Sequence, residues 1–509
     1  MTNNLIKDNI QLDSTKLTRD GADGYSSALF ELHLQLHSQV VNPYTFNPKQ
    51  NYNSYSTLKE SYNYDGVYGP IPDENGFVDL TDYASLYIPN YSTVTSIPEE
   101  NQKYLDSGIL PINMTRTFYG MLECGNIDIS AINTSNVISM ESMFSCSDKE
   151  RRILYDIIGL DKIDTSNVLT MTSMFANSHV SINILDKLSK LNVSKVENLD
   201  NFIGWVGIST EPFTAPYTLD LSNWDVRNLK SYDSFASIIN GDSDRIKYFT
   251  MDLSNWNLQS MPIDNVRQII GNLDPGLDTS KNDTETINTN SLIFPTQLNH
   301  SYGCPGYTLI LKNWKLPMGI KQIRGMFLQF ADNYSRLPVV VDVTGWKNTD
   351  TLEDISYMFT RSDGDGFDPG LCVSEIIGLD SWDTTNLINM NYFAFNTRCN
   401  EYNISNWNLN NCKYFINPFK SGDRDSEGYG TNLLFKLITN IPLDFTNIID
   451  TGEDNFIYKY NANSYDEYLS ANCPEIHIKN FPKTLLSKIQ NEYGHNINTD
   501  KIIIDNYID

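Results

Sequence analysis

Acidic and hydroxyl side chains recur in pairs, two residues apart, at one place of a repeated sequence pattern. The pairs are Asp128 and Ser130, Asp220 and Ser222, Asp252 and Ser254, Asp342 and Thr344, and Asn403 and Ser405. Alternate residues of a strand face the same side, so each pair is expected on one sheet surface. A row of such groups suits hydroxyl-rich ligands such as cell-wall glycans, and these ten residues are the predicted binding site. The same row could instead serve only to keep the sheet soluble.

A calcium site is a weaker candidate in one acidic loop. Asp363, Asp365 and Asp368 lie in the loop 362–370, and carboxylate oxygens are preferred ligands of Ca²⁺. The loop lacks the twelve-residue EF-hand pattern with its closing Glu. No cofactor is therefore predicted, and calcium stays a secondary hypothesis. His33 and His37 would suit a metal only on a helix, whereas the alternating pattern around them favours a strand.

Enzymatic activity has no motif to support it. None of the other histidines lies near a Ser or Cys nucleophile in a recognisable arrangement. A glycan hydrolase would need two carboxylates that converge in a cleft, and the many acidic residues leave that alternative open. We expect a protein without enzymatic activity.

The charge and the cysteines exclude several classes of partner and site. The chain has 37 basic and 63 acidic side chains, a formal net charge of -26, which repels nucleic acids and anionic membrane surfaces. No stretch of 18 apolar residues that could span a membrane occurs. Seven cysteines without a CxxC pair or regular spacing predict buried free thiols. Nucleic acid and membrane are therefore not expected as partners.

The elements that position the acid–hydroxyl pairs are short strands. Apolar and polar residues alternate, so Leu219 and Leu221 are expected to face inwards while Asp220 and Ser222 face outwards. The copies are IDISAI (127–132), IGLDKI (158–163), LDLSNW (219–224), MDLSNW (251–256), LILKNW (309–314), VDVTGW (341–346), IGLDSW (377–382) and YNISNW (402–407). A wider gap between two copies predicts a degenerate copy at 181–202, centred on Leu191.

Tryptophan ends six of these motifs at the same place. The column is Trp224, Trp256, Trp314, Trp346, Trp382 and Trp407. Ile132 and Ile163 occupy that place in two earlier copies, and an aliphatic residue can replace a core tryptophan but not one that stacks on a sugar. The column is therefore predicted to face inwards.

A turn and an apolar stripe follow each strand. The sequences DTSN at 164–167 and DTTN at 383–386 are typical of a helix start. Apolar residues then recur every third position, as in Val137, Met140 and Met143, which fits a short α-helical or 3₁₀ segment. Units this small bury an apolar face only by stacking.

The predicted fold class is therefore α/β, a right-handed leucine-rich-repeat-like solenoid with a parallel sheet on one face and short helices on the other. The solenoid is expected over 106–450. A non-repeat N-terminal docking or cap region is expected over 1–105, and a C-terminal cap over 451–509.

The repeats resemble the BspA-like leucine-rich repeat family, whose short-period cores have the form LDLSNWDTSNVTNMSYMF. The nearest copies are IDISAINTSNVISMESMF (127–144), GLDKIDTSNVLTMTSMF (159–175) and GLDSWDTTNLINMNYF (378–393). The resemblance covers about two thirds of the chain. It implies a leucine-rich-like solenoid with roles in surface attachment and binding, and it carries no catalytic residues to transfer.

The leading functional hypothesis is a structural or receptor-binding component of a phage virion, on the tail or another exposed part. The start MTNNLIKDNIQLDSTKL has no secretory signal pattern, and virion proteins reach the outside by lysis. The expected partners are a host cell-surface glycan or protein and, through the N-terminal region, other virion proteins. The alternative is a bacterial or protist adhesin, at the cell surface or extracellular, exported by another route.

Overall fold

The protein is a solenoid of stacked coils in the computed structural model, which confirms the predicted parallel-sheet repeat fold. The structure describes residues 68–146, 152–208, 216–232, 235–239, 248–262, 306–327, 339–359, 373–394, 397, 399–415, 418–419, 436–449, 458–459, 473–491, 496–497 and 502–509.

Short strands make up most of the regular structure. Those of the first half are β1 Phe77–Asp79, β2 Leu110–Asn113, β3 Asn126–Asp128, β4 Arg152–Leu154, β5 Asp156–Ile158, β6 Ser178–Val180, β7 Ile203–Ile208, β8 Tyr217–Asp220 and β9 Ala236–Ile239. Those of the second half are β10 Tyr248–Asp252, β11 Gly306–Ile310, β12 Val339–Asp342, β13 Glu375–Ile377, β14 Glu401–Asn403, β15 Lys436–Ile438, β16 Leu443–Asp444, β17 Tyr458–Lys459, β18 Ile476–Lys479, β19 Phe481–Pro482, β20 Asn496–Ile497, β21 Ile502–Ile504 and β22 Tyr507–Ile508.

Helices are few and short in the described part of the chain. They are α1 Tyr83–Tyr87, α2 Glu99–Leu105, α3 Ile182–Leu188 and α4 Lys483–Asn491, with 3₁₀ turns at Thr349–Thr351 and Leu379–Ser381.

Equivalent strands of successive coils pair in parallel. The largest sheet has the order β8, β10, β11, β12, β13, and smaller parallel sheets join β3 to β5, β14 to β15, and β16 to β18 to β21. At β8 the apolar residues face the core: Leu219 and Leu221 are buried, whereas Asp220 is exposed and Ser222 is partly exposed, as predicted. The strand faces thus follow the period of two in the sequence.

The six tryptophans of the column form a buried stack, which confirms the inward prediction. Their exposed fractions lie between 0% and 5%. Neighbouring indoles stack with centroids 5.2–6.2 Å apart and interplanar angles of 2–17°. Each indole N–H also donates to a backbone carbonyl of the preceding coil, as Trp314 does to Leu253 at 2.6 Å. Burial of the polar indole edge therefore leaves no donor unsatisfied.

The apolar stripe that follows each strand was expected to form short helices. In the structure it lies in a second backbone ladder. Single parallel bridges join Ser139, Thr170, Asn198 and Ser231 in successive coils. Three places after Ser139, Thr170 and Asn198 the chain turns with a positive φ, as Ser142 does at 51° and Ser173 at 55°. Val137, Met140 and Met143 are buried behind these turns, because a period of three suits such a turn as well as a helix.

The DTSN sequences join coils and do not begin helices. Asp164 Oδ1 accepts the backbone N–H of Ser166 at 2.9 Å, and the hydrogen bonds from Ser166 hold the pKa of Asp164 below its usual range. Thr165 Oγ1 donates to the carbonyl of Asn192 and accepts its N–H, at 2.9 and 2.7 Å. Asn167 Nδ2 donates to the carbonyl of Ser135, 2.7 Å away in the preceding coil. Thr165 and Asn167 thus fix contacts along the stack, while Asp164 and Ser166 form the local turn.

The degenerate copy predicted at 181–202 is present. Helix α3 takes the place of the strand, Leu191 is buried, and Asn198 bridges both neighbouring coils. In the next long gap, β10 pairs directly with β11, and residues 263–305 between them lie outside the described residues.

In two coils the strand register of the structure differs by one residue from the register that an alignment of the motifs predicts. An alignment on the last motif residue places Gly159 opposite Asp128, but the sheet pairs Ile158 with Asp128 and Ile377 with Asp342. Gly159 is an inserted residue with φ +88°, and the Cβ of any other residue there would lie 2.5 Å from the Cα of Ser130. Ile158 and Ile377 consequently occupy the outward position and are exposed.

Parallel pairing extends on both sides of the predicted solenoid boundaries. β1 pairs with β2 across residue 105, and β16 pairs with β18 across residue 450. The domain limits themselves stay predictions.

Candidate functional site

The ten predicted binding residues form five strand-end turns. In every pair the acid or amide Oδ1 accepts the backbone N–H two residues later, at 2.9–3.2 Å. Ser130, Ser222 and Thr344 also donate their hydroxyls to the same oxygen, each at 2.6 Å. These Asx turns end the strands, so one carboxylate oxygen of each acid is already engaged by the fold.

The structure brings only some of these pairs together. Asp220 and Asp252 are register neighbours on β8 and β10, where parallel strands lie about 4.8 Å apart. Ile310 separates Asp252 from Asp342, whose second carboxylate oxygen lies 3.2 Å from Lys312 Nζ. The predicted row therefore mixes acidic residues with aliphatic ones. Its role in binding stays a prediction.

A second outward row crosses the same sheet. Thr218, Thr250 and Thr308 are register neighbours on β8, β10 and β11, and Val340 and Glu375 continue the row on β12 and β13. All five are exposed or partly exposed. The inward residues of the same strands are all apolar, so the outward row varies in chemistry on a constant frame.

Two tyrosines and one arginine form a strip on the second backbone ladder, which is called the turn ladder because turns follow its bridges. This strip is named the tyrosine strip (Arg324, Tyr357 and Tyr392). The tyrosine rings stack with centroids 5.1 Å apart, and the guanidinium of Arg324 lies 5.0 Å from the centroid of the Tyr357 ring. All three side chains are partly exposed. Arginine over a tyrosine face is a favourable cation–π contact.

Both tyrosines have a left-handed backbone. The φ angles are 57° at Tyr357 and 53° at Tyr392, at the position where earlier coils have Ser142, Ser173 and Asn201. Bulky residues rarely adopt this region, which costs about 1–2 kcal/mol for a residue with a Cβ. The tyrosines are therefore placed there against the local backbone preference.

Polar groups line the bridge ladder beside the tyrosine strip. Gln322, Asp354, Asn389 and Tyr414 are linked in that order by parallel bridges. Asn389 Nδ2 donates to Asp354 Oδ2 at 3.1 Å, and burial raises the pKa of the Asp354 carboxyl. Tyr414 is exposed at the end of this row. Amide, carboxylate and phenol groups thus lie on the same ladder as the stacked rings.

A charged cluster lies at the other end of the turn ladder. Arg116 Nε lies 2.8 Å from Asp82 Oδ1, and its guanidinium lies 4.2 Å from the centroid of the Tyr119 ring. Burial raises the pKa of Glu141, in the next coil, to about 7, against the opposing effect of Arg116. The pKa of Asp82 is also raised by burial.

Metal candidates and cysteines have separate outcomes. Asp363, Asp365 and Asp368, like His33 and His37, lie outside the described residues. In the part of the chain that the structure describes, no group of three or more His, Cys, Asp and Glu side chains is placed to hold a metal ion.

The described cysteines are free and buried, as predicted: Cys124, Cys146, Cys399, Cys412 and Cys473. No helix within the described residues has the length and apolar composition of a membrane span.

Sequence reasoning missed the tyrosine strip. The apolar period of three after each strand predicted a short α-helical or 3₁₀ segment, and Tyr357 and Tyr392 were assigned no role in it. The available signal was the replacement of Ser or Asn by Tyr at one fixed position of consecutive copies, 357 and 392.

Comparison with known proteins identifies the repeats. The chain matches the family described as "Mycoplasma protein of unknown function, DUF285" over residues 111–204, 152–272 and 321–426. These ranges follow the coils and together cover more than half of the 509 residues. No curated protein and no solved structure matches the chain. The protein with these strand-end turns, stacked tryptophans and turn ladder belongs to the DUF285 family.

Proposed function

We propose that the chain is a non-enzymatic recognition protein that attaches to a cell surface, with a partner that is a cell-surface glycan or protein. The supporting observation is the separation of roles within each coil. Inward side chains and contacts between coils hold the frame, while the outward row from Thr218 to Glu375 changes from hydroxyl to aliphatic to acidic. Repeat solenoids use such extended faces to bind partners.

The finer assignment is to a BspA-like attachment protein, on the strength of the repeat motifs. The location of the protein is a second proposal, with two alternatives. One is an exposed part of a phage virion, where the N-terminal region contacts other virion proteins, and the other is the surface of a cell. The family description names Mycoplasma, a cellular organism, and favours the second setting. A glycan-degrading enzyme stays the third candidate.

Binding to intact cells tests the attachment. Fluorescently labelled full-length protein is mixed with cells of the source and of bacteria that share its habitat, and bound fluorescence is measured by flow cytometry. Saturable binding that unlabelled protein displaces is expected on at least one cell type. Absence of displaceable binding to every cell type would contradict attachment. Antibody labelling of purified phage particles from the same source then separates the virion from the cell surface.

A further inference from the structure

We propose that the tyrosine strip is a binding site for a neutral, hydroxyl-rich glycan. This inference rests on the proposed attachment function and assigns it to the turn ladder, on a different face from the outward strand row.

Backbone strain at two positions of the tyrosine strip points to a role for its rings. Tyr357 and Tyr392 both have positive φ angles, at 57° and 53°. Other coils fill the equivalent place with short residues such as Ser142, Ser173 and Asn201, and among the described coils Arg116, which pairs with Asp82, is the one other long side chain there. Backbone strain at two positions destabilises the fold. The one stacked ring pair contributes about as much stabilising free energy as one of these strained positions costs. The rings therefore have a use beyond holding the fold.

Side-chain chemistry selects the class of ligand. Aromatic rings offer apolar surface to the C–H groups of a sugar. Arg324 at the Tyr357 ring, and Asp354 and Asn389 three residues before the two tyrosines, supply hydrogen-bond donors and acceptors for its hydroxyls. A protein interface would be expected to have an apolar centre. Here the bridge ladder beside the rings is polar, from Gln322 to Asn389.

Local charge favours a neutral glycan. Lys321 pairs with Glu353 at 2.6 Å, and Arg324 lies near the carboxyl of Asp354. The positive and negative charges around the tyrosine strip thus nearly cancel. The whole chain has a net charge of -26, which repels polyanions.

The test uses the full chain and a double variant, Tyr357→Asn with Tyr392→Asn. Asparagine tolerates the left-handed backbone, so the variant keeps the local conformation and removes both rings. Ser173→Asn, at the equivalent position of another coil, is the matched control. Retention is measured on insoluble chitin, cellulose, starch and β-glucan, and on beads coated with serum proteins, with thermal unfolding recorded for each protein.

The native chain and Ser173→Asn are expected to bind at least one glycan, and the double variant about tenfold less tightly, with its Tm unchanged or higher. A lower Tm with unchanged retention would show that the rings serve only the fold and would overturn the proposal. Retention on the protein beads alone would also overturn it, in favour of a protein partner. If no glycan retains the native chain while intact cells still do, the inference fails and the attachment function stands.

Discussion

Individual tryptophans are expected to contribute strongly to stability. Trp314 is fully buried between two other indoles, and its N–H is bonded to Leu253. Trp314→Ala should lower the free energy of unfolding by about 3–5 kcal/mol, since it leaves a cavity and an unpaired carbonyl. Trp314→Phe, which keeps a ring in the stack, should cost less. Urea denaturation measures both, and a loss below about 1 kcal/mol for the alanine variant would contradict this role.

Glu141 should make stability depend on pH near neutrality. Burial raises its folded-state pKa from the ordinary 4.5 to about 7, so the folded protein holds this proton more tightly than the unfolded chain does. The stabilisation from this group is therefore fully present below the ordinary pKa of 4.5. It is lost as the pH rises from there through about 7, which lowers the free energy of unfolding by about 3 kcal/mol in all.

Glu141→Gln should remove that loss. The variant is expected to match the native protein near pH 4 and to exceed its free energy of unfolding at pH 8. Chemical denaturation at both pH values is the measurement, and Glu123→Gln, which changes an exposed carboxylate, is the control. Equal stability of the native protein and Glu141→Gln at pH 8 would show that the carboxyl is well solvated.

At the scale of elements, the inserted glycine sets where a strand ends. Gly159 has φ +88° and lies against the backbone of Ser130, whereas Gly319 has φ +75° and open space around it. Both alanine variants carry the cost of a left-handed backbone, about 1 kcal/mol. Gly159→Ala adds a backbone clash and should cost at least about 3 kcal/mol in all. Thermal unfolding of the two variants separates strain from clash, and similar Tm values would rule out the close approach.

Sequence patterns predicted the strands well and the turns poorly. The period of two placed Leu219, Leu221 and the tryptophans inwards because burial depends on side-chain alternation alone. The register at Gly159 could not be predicted, because an inserted residue with positive φ leaves the spacing of the conspicuous apolar residues ambiguous. Hydrophobic spacing likewise cannot separate a helix from the turn at Ser142, since both bury every third residue.

The candidate site was predicted only in part. Asp220 and Ser222 do lie on the outward face, as alternation requires, but their mutual hydrogen bonds depend on backbone angles that the sequence does not reveal. The tyrosine strip depends on stacking between coils 35 residues apart, from 357 to 392, and on a backbone conformation unusual for tyrosine.

The whole molecule carries charge that opposes its own compact state. With a net charge of -26, repulsion among acids should exceed the stabilisation from partly exposed ion pairs such as Lys187 with Asp156. Raising NaCl from about 20 mM to about 500 mM should therefore increase the Tm, because salt screens exposed charges. Differential scanning calorimetry measures the shift. A falling Tm would show that ion pairs outweigh the repulsion.

The tryptophan stack also makes the molecule an ordered array of chromophores. Six indoles in near-parallel planes, 5.2–6.2 Å apart from centroid to centroid, are close enough for their electronic transitions to couple. Excitation absorbed by one ring should migrate to its neighbours before emission, so the emitted light should be depolarised even in a rigid protein. An exciton couplet in the circular dichroism spectrum would then report whether coils from Trp224 to Trp407 remain in register, without any label.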